Sequence, residues 1–534
     1  MQEEFDYVIV GAGAAGCILA DRLTACGRHS VLLLEAGGEG RDFWIPIPAG
    51  FSRLLVDPRF NWRFETTPEP NTLDRVIAVP RGKGLGGSTL INGMIYVRGQ
   101  PADYDRWQSL GADGWGWRDV EPYFRKLERY AGGGEARGHE GPMHLTQVAE
   151  RHALADALLA AAAQAGQPFN PDYNGPSQEG FGYYQVLQHR GRRWSVVDGY
   201  LNRARRRPNL SVRTGAHVLR VDLDENGRRC VGVTYRRGAA DVRVRARAEV
   251  VLAAGAVQSP QLLELSGIGD PRVLASIGVP PRHALPAVGE NYIDHFCTRM
   301  NWRVKDARTL NELTRGWRLG LAVSEYFARR TGILTLGTGL VFGFARSRPE
   351  LPAPDVQYFF MHASYANAAE RRLDRLPGMT LGVAQLRPRS AGSIHARSAD
   401  PFSGPDIRPN FLDAEEDQES LIGGMRLARR IMGQPAMARY VEREISPGTA
   451  TRTRAQWLRF ARENGQTIYH PIGTCRMGAD ASAVVDPRLR VHGIAGLRVV
   501  DASVIPAMVS GNTQAAVMMV AEKGADLILA DGAG

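Results

Sequence analysis

Phe5-Asp6-Tyr7-Val8-Ile9-Val10-Gly11-Ala12-Gly13-Ala14-Ala15-Gly16 opens the chain's most informative stretch, which continues through Cys17 to Leu23 and ends at Val31-Leu32-Leu33-Leu34-Glu35. An apolar run, a Gly-x-Gly-x-x-Gly turn, a helix-like segment, a second apolar run and an acid follow one another. That order and spacing belong to the dinucleotide-binding strand–turn–helix–strand unit. Each residue has a physical reason. Gly11 allows the sharp turn. Gly13 lets a pyrophosphate approach the backbone, and Gly16 lets the helix pack close to the strand. The helix N-terminus offers unpaired N–H groups to phosphate. Glu35 stands where a carboxylate binds ribose hydroxyls. A glycine-rich turn alone would be weak evidence; here strand, helix and acid all flank it.

Outward from this unit, the totals set limits. The 534 residues exceed one ordinary core and predict two domains or one large domain with insertions. With 44% hydrophobic and 23% charged residues the composition is globular. The N-terminus, Met-Gln-Glu-Glu-Phe-Asp, is acidic, unlike the basic start of a signal peptide, and no apolar run approaches the ~20 residues of a membrane span. A cytoplasmic protein with no integral membrane segment is expected. The formal charge is +10, carried almost wholly by dispersed arginines, with lysine only at Lys83, Lys126, Lys305 and Lys523. That dispersion argues against nucleic acid as a partner. The five cysteines show no CxxC spacing and the histidines no HExxH, so free thiols and no metal are expected.

Further along, Arg81 to Gly99 threads glycines (Gly82, Gly84, Gly86, Gly87, Gly93) with Leu85, Leu90, Ile91, Met94 and Ile95, which predicts a buried segment lying on a flat ligand. Asn61 to Thr66 reads as a short strand. Helices are expected over 103–129 (broken at Gly111–Gly114), 153–165, 194–207, 318–330, 415–432 and 515–529. Strands are expected at 210–213, 218–221, 231–235, 250–253, 356–360, 379–386 and 497–500. Asp501 follows the last strand, at the edge where open α/β sheets bind ligands.

These segments together resemble the glucose–methanol–choline (GMC) oxidoreductase family. Gly82 to Arg98 is similar to its first signature and Gly255-Ala256-Val257-Gln258-Ser259-Pro260 through Gly269 to its second. Tyr469-His470-Pro471-Ile472-Gly473-Thr474 and Asp501 to Asn512 are similar to its catalytic portion. The resemblance implies an α/β fold of mixed α+β character: a Rossmann-like FAD-binding domain (1–160, 205–296 and 467–534) and a substrate-binding domain on an antiparallel sheet with helices (161–204 and 297–466). It implies FAD, in keeping with the single dinucleotide fingerprint. Gly11, Gly13, Ala14, Ala15, Gly16, Glu35, Ala36 and Trp62 would hold the ADP half, and Val218, beside His217, would meet the adenine. Gly86, Gly87, Ser88, Asn92, Gly93 and Ile95 would line the flavin end. Ala254, Gly255, Tyr469, Asp501, Ala502, Asn512 and Thr513 complete the expected contacts.

The resemblance implies catalysis by His470 and Asn512. A histidine can take the hydroxyl proton of an alcohol near neutral pH, and an amide N–H can stabilise the developing alkoxide. Some relatives carry a flavin-linking histidine where this chain has Ile91, so non-covalent FAD is expected. By an ungapped alignment, Leu340 occupies the place of the glutamate that faces choline's ammonium. An uncharged primary alcohol, aliphatic or aromatic, is therefore expected ahead of choline. Phe342, Phe344 and Phe360 are candidates both for an apolar pocket and for the core. The acceptor is left open between O₂, a quinone and another carrier. Rival readings are a hydroxynitrile-lyase-like enzyme with redox-silent FAD, a non-catalytic flavin protein and an NAD-dependent dehydrogenase.

Overall fold

A computed structural model describes residues 3–367 and 371–532. Two seven-stranded sheets organise them. The first uses β1 (Glu3–Val10), β2 (Val31–Leu34), β4 (Leu210–Arg213), β5 (Ala216–Leu223), β6 (Cys230–Arg237), β7 (Ala240–Leu252) and β14 (Leu497–Val499). The order is β4-β2-β1-β7-β6-β5, with β14 also on β7. The strands β4, β2, β1, β7 and β14 pair in parallel, whereas β5, β6 and β7 form an antiparallel meander. Val8, Ile9, Val10 and Val31 to Leu34 are buried, as unbroken apolar runs require when a parallel sheet is covered on both faces. Helix α1 (Ala14–Thr24) leaves β1 through the glycine turn, and helix α5 (Gln514–Asp531) is tied to it by ion pairs from Arg22 to Glu522 and Asp526.

The second sheet is antiparallel. It comprises β3 (Gly180–Tyr183), β8 (Phe296–Val304), β9 (Val341–Ala345), β10 (Val356–Met361), β11 (Gly378–Gln385), β12 (Val441–Ser446) and β13 (Gln466–Thr467). The order is β12-β8-β11-β10-β9-β3, with β13 also on β8. Its register decides what faces the site. Phe359, Gly382 and Arg299 lie in one row across β10, β11 and β8, and Gln357, Ala384 and Cys297 lie in the next. Side chains alternate, so these share one face. On the other face, helix α4 (Glu415–Met432) brings Gly424 so close that a Cβ there would meet Val383 at 2.6 Å.

The structure sharpens three expectations. The helix expected over 194–207 is shorter, one helical run over 196–204 with a π-turn at Val197–Leu201. An Arg192–Arg193 strand precedes it, and Asp198 accepts from Ser195 N–H and Oγ–H at its start. The strand expected at 250–253 is the end of the thirteen-residue β7, whose Val242, Val244 and Ala246 alternate with arginines, a period-two signal that the arginines obscured. Phe342, Phe344 and Phe360 are core, the first two packed on the Tyr173 ring, and Phe359 on the opposite face meets the cavity instead. Helices Glu415–Met432 and Ala153–Gln164 fall where periodicity predicts them.

Candidate active site

One long cavity runs between the two sheets. Gly11, Gly13, Ala14, Ala15, Glu35, Ala36, Trp62, Gly87, Ser88, Asn92, Gly93, Ile95, Val218, Ala254, Gly255, Tyr469, His470, Asp501, Ala502, Asn512 and Thr513 all line it. Gly16 and Gly86 stand behind its wall. A Cβ on Gly16 would strike Gly11 O at 1.9 Å, and Gly86 donates its N–H to Ala12 O at 2.7 Å.

The cavity's geometry suits a dinucleotide. Helix α1 has no side-chain cap, so its first N–H groups open onto the cavity. Gly11 has φ +99°, and a Cβ there would meet Ala253 O at 2.6 Å; one on Gly13 would meet nothing and would project into free space. Glu35 is buried, with Oε2 accepting from Ala12 N–H (3.0 Å) and Oε1 from Gly37 and Gly84 N–H (2.8 and 3.0 Å). It braces the turn while keeping lone pairs for a ribose; burial raises its pKa and these N–H groups oppose the rise. Beyond it, the Trp62 ring lies 5.8 Å from His217, with Lys83 Nζ 4.6 Å above it. Asp501 is fully engaged, accepting from Gly255 N–H, Ser259 Oγ–H and both Ser503 donors, so it clamps the end of β14 to helix α2 (Gly255–Leu265). Asn92 is held likewise, donating to Gln514 Oε1 and accepting from Arg193 at 2.9 Å.

At the other end, Tyr469 takes φ +73°, an uncommon conformation for a bulky residue, with Arg81 holding its carbonyl at 2.6 Å. This turn aims His470. The His470 N–H donates to Asp294 Oδ1 at 2.8 Å, and burial raises the Asp294 carboxyl to about 6. His470 Nδ1 lies 3.0 Å from His295 Nδ1, His295 Nε2 lies 3.0 Å from Leu386 O, and His470 Nε2 lies 3.1 Å from Asn512 Nδ2. Gln357 Nε2 donates to Asn512 Oδ1 at 3.2 Å.

The partners fix the protons along this chain. A carbonyl only accepts, so His295 Nε2 carries hydrogen and its neutral Nδ1 is bare. His470 Nδ1 therefore donates, which leaves His470 Nε2 with a lone pair facing the Asn512 amide. Burial lowers His295 to about 4 and His470 well below the ordinary histidine value, the latter helped by His295 and Arg81. His470 is thus a neutral imidazole with one defined tautomer.

Sequence reasoning missed His295, Gln357 and Arg299. Gln357 had a signal, as a polar residue in the apolar run Val356 to Met361; His295, just before β8, and Arg299, within it, have none. Leu340 is buried but does not line the cavity, where Thr338 stands instead, so the ungapped comparison with the choline-facing glutamate fails by position. Arg299 and Arg371 line the same end, Arg371 donating to Tyr469 Oη at 2.8 Å. Ile91 also lines the cavity, with no atom able to bond a flavin.

Comparison with known proteins agrees with this arrangement. Family profiles described as GMC oxidoreductase match residues 5–297 and 388–521. An oxygen-dependent choline dehydrogenase of Pseudomonas putida (strain GB-1) is 42% identical, over 99% of this chain and 94% of its own. One from Escherichia coli (strain SE11) is 41% identical, over 98% and 95%. Among solved structures, pyridoxine 4-oxidase from Mesorbium loti superposes with TM-score 0.88 at 30% identity, covering 98% of both chains. A formate oxidase from Aspergillus oryzae RIB40 gives 0.91 at 28%, covering 99% of this chain and 98% of its own. With both profiles matching across the cavity and its buried histidine pair, the chain belongs to the GMC oxidoreductase family of FAD-dependent enzymes that oxidise CH–OH donors.

Proposed function

We propose that the enzyme oxidises an uncharged primary alcohol to the aldehyde, with His470 Nε2 taking the hydroxyl proton and Asn512 holding the oxygen. The observation that carries this reading is the tautomer chain from Leu386 O through His295 to His470. It leaves one bare nitrogen at the end of the cavity, 3.1 Å from an amide donor. Removing the hydroxyl proton raises electron density on the carbinol carbon and eases departure of its hydride. The Asn512 N–H supports the growing negative charge on oxygen, and Gln357 keeps that amide oriented. FAD, when bound, supplies the hydride acceptor. Gly11, Gly13, Ala14, Ala15 and Glu35 would hold its ADP half and Gly87, Ser88, Asn92, Gly93 and Ile95 its flavin end, without a covalent link at Ile91. In this reading 1–160, 205–296 and 467–534 bind cofactor, while 161–204 and 297–466, which carry most of the second sheet, shape the substrate pocket.

A second reading is choline, which the relatives' names favour. Against it, Arg299 and Arg371 line the catalytic end, and among the described residues no carboxylate lines that end to meet a quaternary ammonium. The free state of all five thiols supports a reducing, cytoplasmic setting. The test is anaerobic addition of short aliphatic alcohols, benzyl alcohol and choline to the purified yellow protein. Loss of the oxidised-flavin band with an uncharged alcohol supports the proposal. Loss with choline alone transfers it to the second reading. No loss with any alcohol favours a redox-silent, lyase-like role. The rate at which colour returns in air separates O₂ from another acceptor.

A further inference from the structure

Helix α3 (Gly316–Arg329) is turned inside out. The sequence Gly-Trp-Arg-Leu-Gly-Leu-Ala-Val-Ser-Glu-Tyr-Phe-Ala-Arg rests on the body through Arg318, Ala322 and Tyr326, and only Tyr326 is fully buried. A surface helix ordinarily keeps its apolar side chains on that inner stripe. Here Trp317 (70% exposed), Leu319, Leu321 (60%), Val323 and Phe327 face outward or sideways into solvent. Phe43, itself 59% exposed, stacks on the Phe327 ring at 5.8 Å. Apolar residues exposed singly are ordinary; six gathered on one helix and the loop beside it mark an interaction surface.

The charges identify the partner. Between positions 315 and 330 stand Arg315, Arg318, Arg329 and Arg330 against Glu325 alone, four positive and one negative, a local charge of +3. The arginines sit at the two ends of the apolar stretch. The Arg318 guanidinium lies 5.3 Å from the Trp317 ring and that of Arg330 lies 5.3 Å from the Phe327 ring. Long basic side chains placed so can bury their stems and keep their heads at a polar boundary.

We propose that α3 and Phe43 form a docking face for an anionic lipid bilayer. The helix lies in the plane of the interface, with Trp317, Leu321, Phe327 and Phe43 below the headgroups and Arg315, Arg329 and Arg330 at phosphate level. It does not span the bilayer: no described helix is long and apolar enough to cross one. A second copy of this chain is the poorer occupant, because self-pairing would bring two +3 helices together, whereas anionic headgroups supply the missing counter-charge.

The face connects to the cavity. Tyr326 of α3 forms a small core with Ile47 and Leu334, against which Ala49 packs. Those segments lead directly into Phe51 and Thr338, both of which line the cavity. Docking would therefore hold the cavity wall near the bilayer, where a lipid-soluble alcohol or electron acceptor concentrates. The inference rests on the surface alone and not on the role of His470.

The test is co-sedimentation of the holoenzyme with vesicles of phosphatidylcholine, alone or with phosphatidylglycerol admixed. Binding to the anionic vesicles, weakened by salt, is expected. Leu321→Ser with Phe327→Ser should weaken it by about tenfold or more while leaving alcohol oxidation with a soluble dye acceptor unchanged. Arg329→Gln with Arg330→Gln should reduce the preference for the anionic lipid. Failure of the holoenzyme to sediment, equal binding to both vesicle types, or undiminished binding by the serine variant would overturn the proposal. So would a dimer, seen by sedimentation velocity, that the serine variant dissociates.

Discussion

His295 Nδ1 stands 3.0 Å from His470 Nδ1, two like nitrogens that share one hydrogen. Which ring owns it is settled 3.0 Å from the far side of His295, where Leu386 O can only accept. In the proposed mechanism His295 acts on the alcohol without touching it, by holding His470 in the tautomer whose Nε2 is bare. The variant that separates this role from mere packing is glutamine. His295→Gln can still accept from His470 Nδ1 and donate to Leu386 O, whereas His295→Leu can do neither. The rate of flavin reduction should fall about ten- to a hundredfold in His295→Leu and be largely restored in His295→Gln. Equal loss in both would reduce His295 to a filler of space.

His470→Ala should lower flavin reduction by about 10²- to 10⁴-fold with FAD still bound, the range for losing a positioned base. Asn512→Ala should cost about 10²-fold, since it removes one amide donor from the developing oxyanion. Stopped-flow reduction under anaerobic conditions measures both, and an unaltered rate in His470→Ala would place the base elsewhere.

The pH dependence follows from burial. His470 is held well below the ordinary histidine value by burial, His295 and Arg81, which favours its neutral form. Flavin reduction should be flat between about pH 6 and 8, without the rising limb that an unperturbed histidine near 6.5 would give.

His395 titrates the other way. Its Nδ1 lies 2.7 Å from the buried Glu264 and its Nε2 3.2 Å from Glu290, which together lift it to about 9 against the pull of burial. A raised folded-state pKa contributes stability that is complete below about 6.5 and is lost as pH rises through about 9. The melting temperature should therefore fall between about pH 6.5 and 9 and level off above. His395→Gln should start lower, with Glu264 left without its cation, and should lose this alkaline slope.

Gly13 offers a test of the cradle that spares the fold. A Cβ there meets no protein atom within 4 Å, and α1 begins at the next residue. Gly13→Val should fold, melt cooperatively and purify colourless, because the added methyls occupy the space left for the cofactor. A yellow Gly13→Val protein would move the diphosphate away from this turn.

Much of the cofactor side was legible in the chain because its determinants are local. The turn from Gly11 to Gly16 is set by the positive φ of Gly11 and by the approach of Gly16 to Gly11 O, and Glu35 lies one strand away. The parallel strands announce themselves as unbroken apolar runs. Helix Glu415–Met432 carries its period and its acidic first turn in consecutive residues.

What the tertiary structure alone decided is the substrate wall and the state of the base. Phe359 and Arg299 share a face because β10, β11 and β8 pair in one register, and a shift by one residue would exchange Phe359 for Phe360. His295 reaches His470 across 175 positions, and Gln357 reaches Asn512 across 155. No local pattern encodes such contacts, and a tautomer exists only once the acceptor that dictates it is in place. The outward apolar face of α3 was hidden for the same reason: its periodicity predicts a helix, but only the packed body shows which side of that helix remains uncovered.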